Sequence, residues 1–293
     1  LKFVDVDQST LNMDISAVRD AISDKTAGIF AVNLLGNPVD LTALTRLAED
    51  NDLFLLEDNC ESMGAKLSNK FTGTLGHIGT FSCFFSHHIS TMEGGVCLTD
   101  DEELAQIMVS MRAHGWTREL PKENHVFNKT GDAFDDLFRF VLPGYNLRPL
   151  EMSGAIGVEQ LKKLPYFVEA RRRNAEIFLK EFGKLDHLRL QSETGASSWF
   201  GFSLILEGPL TGKRQLLVES LKQNDIDCRP IVAGNFTKNP VMRHLPHAPL
   251  EPTPVADQVH ENGLFLGNHH FDLEAELVRA ADVVGNFVLK HGK

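Results

Sequence analysis

The sequence predicts an α/β fold in two parts, a layered sheet domain followed by a smaller α+β domain. Short apolar runs alternate with helical periodicity up to residue 112, one of those runs ends in acidic residues, and strand and helix patterns resume after residue 198 behind two long helical stretches. Taken in order, residues 2–7 read as a strand already under way, with no initiator methionine before it. The chain is therefore expected to begin inside a domain. Strands are predicted over 28–35, 53–56, 79–85 and 96–99, with helices over 41–49 and 102–112. Residues 114–149 lack periodicity and mix Gly, Pro, Asn and charge, which is long for a bland connection and points to a functional or interface loop. Helices follow at 150–163 and 166–182, the second starting after Pro165. A strand over 199–206, a helix over 213–223 and a strand over 226–231 come next, then a loop rich in Pro, Asn and His. A final helix carries Leu273, Leu277, Ala280, Val284 and Phe287 on one face. Residues 1–149 form the expected large domain, and 150–293 the linking helices and small domain.

Composition narrows the function. With 293 residues, 42% hydrophobic and 24% charged, the chain can bury a core. A net charge of -11, with basic residues scattered singly apart from Arg171-Arg172-Arg173, argues against a nucleic-acid surface or polybasic membrane patch, so a phosphorylated ligand must be met by local cations. Cys60, Cys83, Cys97 and Cys228 have no metal-type spacing and read as reduced thiols of a cytoplasmic protein. No apolar run approaches the roughly 18 residues of a spanning helix.

The run Leu55-Leu56-Glu57-Asp58-Asn59-Cys60-Glu61-Ser62 ends an apolar strand in carboxylates, and ligands of open α/β sheets sit beyond the carboxyl ends of strands. Taken alone the signal is weak, since an acidic residue after a buried strand is more often only a helix cap. The stretch Thr80-Phe81-Ser82-Cys83-Phe84-Phe85-Ser86-His87-His88-Ile89-Ser90-Thr91-Met92-Glu93-Gly94-Gly95 is more specific. It resembles the DegT/DnrJ/EryC1/StrS sugar aminotransferase family of fold-type I pyridoxal-phosphate enzymes, whose pattern is a strand, Phe-Ser, a short turn, a lysine, then Gly-Gly. The lysine position is held by His87, a substitution that marks the family's 3-dehydratases.

That resemblance implies an aspartate-aminotransferase-like large domain, a homodimer with shared active sites, and a noncovalent cofactor cycling as pyridoxal and pyridoxamine 5'-phosphate. It implies removal of the C3 hydroxyl of GDP-4-keto-6-deoxymannose, with L-glutamate regenerating the amine form and His87 as general base, a task suited to an imidazole that is basic and largely neutral near pH 7. Asp58 matches the carboxylate facing the pyridine nitrogen, Glu61 a ring-contacting position, and Ser82 a phosphate-binding hydroxyl. His114 and Arg118 match substrate positions, although a histidine after a helix end is also an ordinary dipole cap. In Gly144-Tyr145-Asn146-Leu147-Arg148-Pro149, Asn146 matches a contact to the cofactor phosphate of the neighbouring subunit and Arg148 a contact to substrate. Asp227, in the segment 225–240, stands at a substrate-facing position where the family favours glutamate.

Four other readings are open on the same residues. A CDP-4-keto-6-deoxyglucose 3-dehydrase carries an iron–sulfur cluster whose cysteine spacing, begun at Cys60, would fall on Arg118, Leu120 and Asn128, so most of its ligands are missing. A sugar-nucleotide aminotransferase needs the lysine. A zinc hydrolase built on His87, His88, Glu93 and His114 lacks the i, i+4 pairing that aims two ligands together. A noncatalytic relative would have no reason to hold Asp58, Ser82, His87, Asn146 and Arg148 in order.

Overall fold

The structure, a computed structural model, describes residues 1–293. Helix α1 (Ile15–Ala21) is capped by Asp14, whose carboxylate accepts from the Ala17 amide. Strand β1 (Gly28–Val32) stops earlier than the apolar run suggests, because Leu35 (φ 53°) and Gly36 (φ 94°) turn the chain through a 3-10 turn, Leu34–Gly36. Helix α2 (Leu41–Asp50) buries Leu41, Leu44, Leu47 and Ala48 under a cap from Asp40. Strand β2 (Phe54–Asp58), the hairpin β3 (Lys66–Leu67) and β4 (Lys70–Phe71), strand β5 (Ile78–Ser82) and strand β6 (Gly95–Leu98) follow, then α3 (Glu102–Met111) with Asp101 as its cap. β1, β2 and β5 run parallel, and β6 closes the sheet antiparallel, in the order β1-β2-β5-β6. One face packs on α1 and α2 through Val18, Ile29, Ala31, Leu44, Leu53 and Leu55; on the other, Phe30, Val32, Val96 and Leu98 meet solvent.

Residues 112–150 contain isolated bridges but no helix or strand. Helix α4 (Glu151–Leu161) and helix α5 (Leu164–Phe182) come next. Pro165 lies inside the first turn of α5 rather than before it, which costs nothing because first-turn amides have no helical acceptor. Strands β7 (Leu188–Arg189) and β8 (Gly201–Leu206), helix α6 (Arg214–Gln223), the short strand β9 (Cys228–Arg229), helix α7 (Pro254–Asn262), strand β10 (Gly263–Gly267) and helix α8 (Glu274–His291) complete the chain. The second sheet has the order β7-β8-β10-β9 and packs on α5, α6 and α8 around Phe178, Phe182, Phe202, Leu204 and Val284.

Residues 2–7 do not form the expected strand. They make one bridge, Val6 to Met13, and otherwise strap the two sheets together. Phe3 stacks on Phe236 at 6.1 Å, and Asp5 caps α7 by accepting from the amides of Val255 (3.0 Å) and Ala256 (2.8 Å).

Glu57 and Asp58 are neighbours on β2 and point to opposite faces, as strand geometry requires. Glu57 is fully buried and accepts from the amides of Gly73 (2.6 Å), Leu75 (2.8 Å) and Gly76 (2.6 Å), so it holds the loop after β4 and is not available to a ligand. Glu57→Ala leaves one buried and two part-buried amides without an acceptor, each costing about 1–3 kcal/mol where water does not reach it. Urea denaturation should show a loss at the upper end of single-substitution effects, about 4 kcal/mol; a loss below about 1 kcal/mol would mean that water substitutes for the carboxylate.

Candidate active site

The carboxyl ends of β2 and β5 lie at the same edge of the sheet: Asp58, the last residue of β2, pairs with Thr80 in parallel register, and β5 runs two residues further to Ser82. Four of the residues singled out in the sequence gather there. Asp58 is half-buried; its Oδ1 accepts from the Cys60 amide at 2.9 Å, and no amide or hydroxyl of the chain reaches Oδ2. One carboxylate oxygen is thus tied to the turn and the other is free for a ligand. Ser82 closes β5, half-buried, with its Oγ accepting from the Phe84 amide at 3.2 Å. Glu61 is largely buried, and its Oε2 accepts from the Leu35 amide at 2.9 Å. Burial, with the nearby Asp58 charge adding to it, pushes the Glu61 carboxyl up from 4.5 to about 7.

His87 sits on the turn after β5. Its Nδ1 lies 2.5 Å from the Cys60 carbonyl oxygen. A carbonyl only accepts, so Nδ1 carries the proton and Nε2 keeps its lone pair. The ring packs against Phe84 (6.3 Å) and Phe200 (5.1 Å). Gly94 makes the return of the loop possible: its φ is 153°, and a Cβ there would lie 2.6 Å from Thr91 Oγ1.

A second group forms beside α3. His114, in left-handed backbone (φ 65°), donates its amide to the Tyr145 carbonyl at 2.7 Å, and Ala113 bridges to Asn146. Asn146 and Arg148 are exposed and line a cavity of 450 Å³ with Arg112 and Glu119, which are themselves paired at 2.6 Å. Arg118 is exposed, its guanidinium 5.1 Å from the Trp116 ring. Asp227 is exposed at the start of β9, on the edge of the second sheet. No hydrogen bond joins the second group or Asp227 to the His87 cluster.

Residues the sequence reading passed over complete the site's back wall. Phe200 and Arg171 come from far along the chain, and His88 enters the sequence reading only as a zinc-ligand candidate; no short-range pattern marks the place they take here. Phe200 lies between the two imidazoles, 5.1 Å from His87 and 5.8 Å from His88. Arg171 is 2% exposed and has no carboxylate partner; its Nη1 donates to the Asn268 carbonyl at 2.8 Å.

A carboxylate with one oxygen unpartnered at a strand end, a hydroxyl at the end of the next strand and a histidine whose Nδ1 faces a carbonyl thus gather at one edge of an aminotransferase-like α/β fold of PLP fold type I. The chain belongs to the DegT/DnrJ/EryC1/StrS aminotransferase family, whose model matches residues 2–285. It is 54% identical over 279 residues to the GDP-4-keto-6-deoxy-D-mannose 3-dehydratase of Yersinia pseudotuberculosis, covering 94% of this chain and 71% of that one. A crystal structure of GDP-4-keto-6-deoxymannose-3-dehydratase with a trapped PLP-glutamate geminal diamine superposes with a TM-score of 0.93 at 52% identity, covering 96% of this chain and 74% of that one. A histidine-to-asparagine mutant of that enzyme with bound GDP-perosamine gives the same TM-score at 51% identity, covering 97% and 74%.

The raised carboxyl of Glu61 sets a pH dependence. The folded chain keeps this proton to about pH 7, whereas the unfolded chain releases it near 4.5. Between those values the folded state binds more protons, so the contribution to stability is full below 4.5, falls as pH rises through the window, and is lost above about 7. Glu61→Gln removes this slope while its amide oxygen still accepts from Leu35. The difference in urea-unfolding free energy between the two proteins, measured from pH 4 to 8, should drift in favour of the Gln variant, whereas a flat difference would place the Glu61 proton elsewhere.

Proposed function

We propose that the protein is a PLP-dependent sugar-nucleotide 3-dehydratase that removes the C3 hydroxyl of GDP-4-keto-6-deoxymannose, with L-glutamate as the amino donor that restores the cofactor. The observation that carries the reading is His87: it stands after Phe81-Ser82 where the family's transaminases hold lysine, and its Nδ1–H is committed to the Cys60 carbonyl. The 54% identity to a curated dehydratase of that substrate supports it. The product is the 3-deoxy sugar nucleotide of the class that leads to colitose in O-antigen lipopolysaccharide.

The residues fit pyridoxamine 5'-phosphate. Asp58 would hold the pyridine nitrogen with its free Oδ2, Ser82 the phosphate, and Glu61 the ring edge; Asn146 of a second copy would reach the same phosphate, which makes the protein a homodimer with shared sites. Bound there, the cofactor supplies an amine for the sugar's C4 ketone and a conjugated ring that stores electrons. From that position Asp58 would keep the pyridine nitrogen protonated. His87 takes a proton at Nε2 and returns it, and the Cys60 carbonyl stabilises the imidazolium formed meanwhile through Nδ1–H. Expulsion of the C3 hydroxyl consumes that proton. Atoms balance across the cycle: the sugar loses one oxygen, and glutamate leaves as 2-oxoglutarate and ammonia with one oxygen gained from water. His114, Arg118, Arg148 and Asp227 are assigned to the sugar nucleotide. Residues 1–149 form the cofactor-binding domain and 150–293 the linking helices and small domain. No helix is long and apolar enough to cross a membrane, and none of the four cysteines is paired; we place the reaction in the cytoplasm.

Incubation of the holoenzyme with GDP-4-keto-6-deoxymannose and L-glutamate should give, by mass spectrometry, a product short of one oxygen together with 2-oxoglutarate. A product that keeps its oxygen and gains nitrogen would make the protein a transaminase. His87→Asn should lower the rate by about 10²–10⁴-fold, the range of a general base, with cofactor binding preserved; a near-normal rate would move the base to another residue. Sharing of sites is tested by mixing His87→Asn with Asn146→Ala. Mixed dimers then hold one intact site, so part of the activity returns, whereas no recovery would mean that each subunit works alone.

A further inference from the structure

His88 turns away from its neighbour. It is 3% exposed, and its Nε2 lies 3.1 Å from the carbonyl oxygen of Ser198, 110 residues further along. The carbonyl only accepts, so Nε2–H donates. Ser198 belongs to the segment entering β8, and this segment is itself fixed to the turn after β1: the Ser198 amide donates to the Gly36 carbonyl at 3.0 Å and the Phe200 amide to the Leu35 carbonyl at 2.9 Å. The loop between β5 and β6 is therefore gripped from two sides. His87 ties it to Cys60 at the end of β2, and His88 ties it to the second sheet, with the Phe200 ring between them.

A buried imidazole is an expensive way to fill this volume. His88 Nδ1 has no hydrogen-bond partner, nor do Arg171 Nε and Ser198 Oγ beside it. Burial, followed by the adjacent Arg171 guanidinium, drives the ring down to about 3, so it stays neutral and does not titrate with the reaction. A phenyl ring would occupy the same space without the polar cost. What only the imidazole supplies is a donor at Nε2, at fixed reach from the loop backbone.

We propose that His88 is a positioning residue: its hydrogen bond to the Ser198 carbonyl holds the loop carrying His87 so that His87 keeps Nδ1 on the Cys60 carbonyl and presents Nε2 to the reacting atoms. This rests on the reading of His87 as the base. Residues 87 and 88 share one peptide, so freedom at one side chain anchor becomes rotation at the other. Displacement of a reacting group by about 1 Å costs on the order of 10²-fold in rate.

Two neutral amides test this, since Gln places its nitrogen where Nε2 stands and Asn places its nitrogen at the Nδ1 side. In the holoenzyme, His88→Asn should lose about 10²-fold in kcat with KM nearly unchanged, whereas His88→Gln should keep most of the activity. Independently of turnover, ¹⁵N NMR of the imidazoles, with the His87 signals identified by their absence in His87→Asn, should show one tautomer of His87, protonated at Nδ1, in the wild type and in His88→Gln, and a tautomer mixture in His88→Asn. Equal activity of the two amide variants, or an unchanged His87 tautomer in His88→Asn, overturns the proposal. An inactive wild type with the NMR pattern as described would instead count against the dehydratase reading and leave the clamp standing.

Discussion

The parallel register of three short strands is the constraint on which the rest of the site depends. Val32 pairs with Asp58 and Asp58 with Thr80, so β1 and β2 end at one level, β5 runs two residues further to Ser82, and all three hand their next residues to the same edge. A slip of one residue in β2 would carry Asp58 into the core and Glu57 out of it. The two carboxylates prevent that slip by being satisfied in different ways. Glu57 is solvated by three backbone amides inside the protein, while Asp58 has one oxygen bound to its own turn and the other open. A slipped register would bury a carboxylate with an unsatisfied oxygen, which costs more than any of the apolar contacts nearby can return.

A buried polar network keeps the turn after β2 rigid. Asn59 Oδ1 accepts from Asn33 Nδ2 (2.8 Å) and Ser62 Oγ (3.0 Å), and its amide donates to the Thr80 carbonyl (2.8 Å). Cys60 therefore presents its carbonyl to His87 from a fixed backbone. Its thiol, pushed up to about 12 by burial and by Asp58, stays protonated and takes no part in nucleophilic chemistry. A sequence pattern that draws attention to Cys60 as a cluster ligand thus has a different physical content: the working atom is the backbone oxygen.

Much of this was legible in the sequence because it is local. Alternating burial marks β2, an aspartate cap and a four-residue period mark α2 and α3, and the run from Phe81 to Gly95 carries its chemistry within one turn. What was not legible depends on pairs remote in the chain. β10 is buried along both faces, so it shows no alternation, and α7 begins on a proline inside a stretch that reads as loop. Residues 2–7 have strand composition, yet Asp5 is used to cap α7 some 250 residues later. Arg171, within a triplet that the sequence marks only as a run of basic residues, is the most deeply buried cation of the chain. Helical periodicity points one residue of such a triplet inward, but not what it meets there.

Burial and Arg171 together set the protonation of the histidines on this wall. A guanidinium with no carboxylate beside it is held by the carbonyls of Asn268, Phe200 and Trp199, and burial lowers it only to about 10, so it remains charged. Burial, with this charge adding to it, depresses His88 and His270, and His269 falls to about 4 by burial, by its histidine neighbour and by Arg171. The imidazoles lining this side are thereby fixed in their neutral forms, and His87, whose Nδ1–H faces a carbonyl, is set apart from them by its hydrogen bond to the first sheet. The neutrality of His88, His269 and His270 follows first from burial, with the charge of Arg171 adding to it.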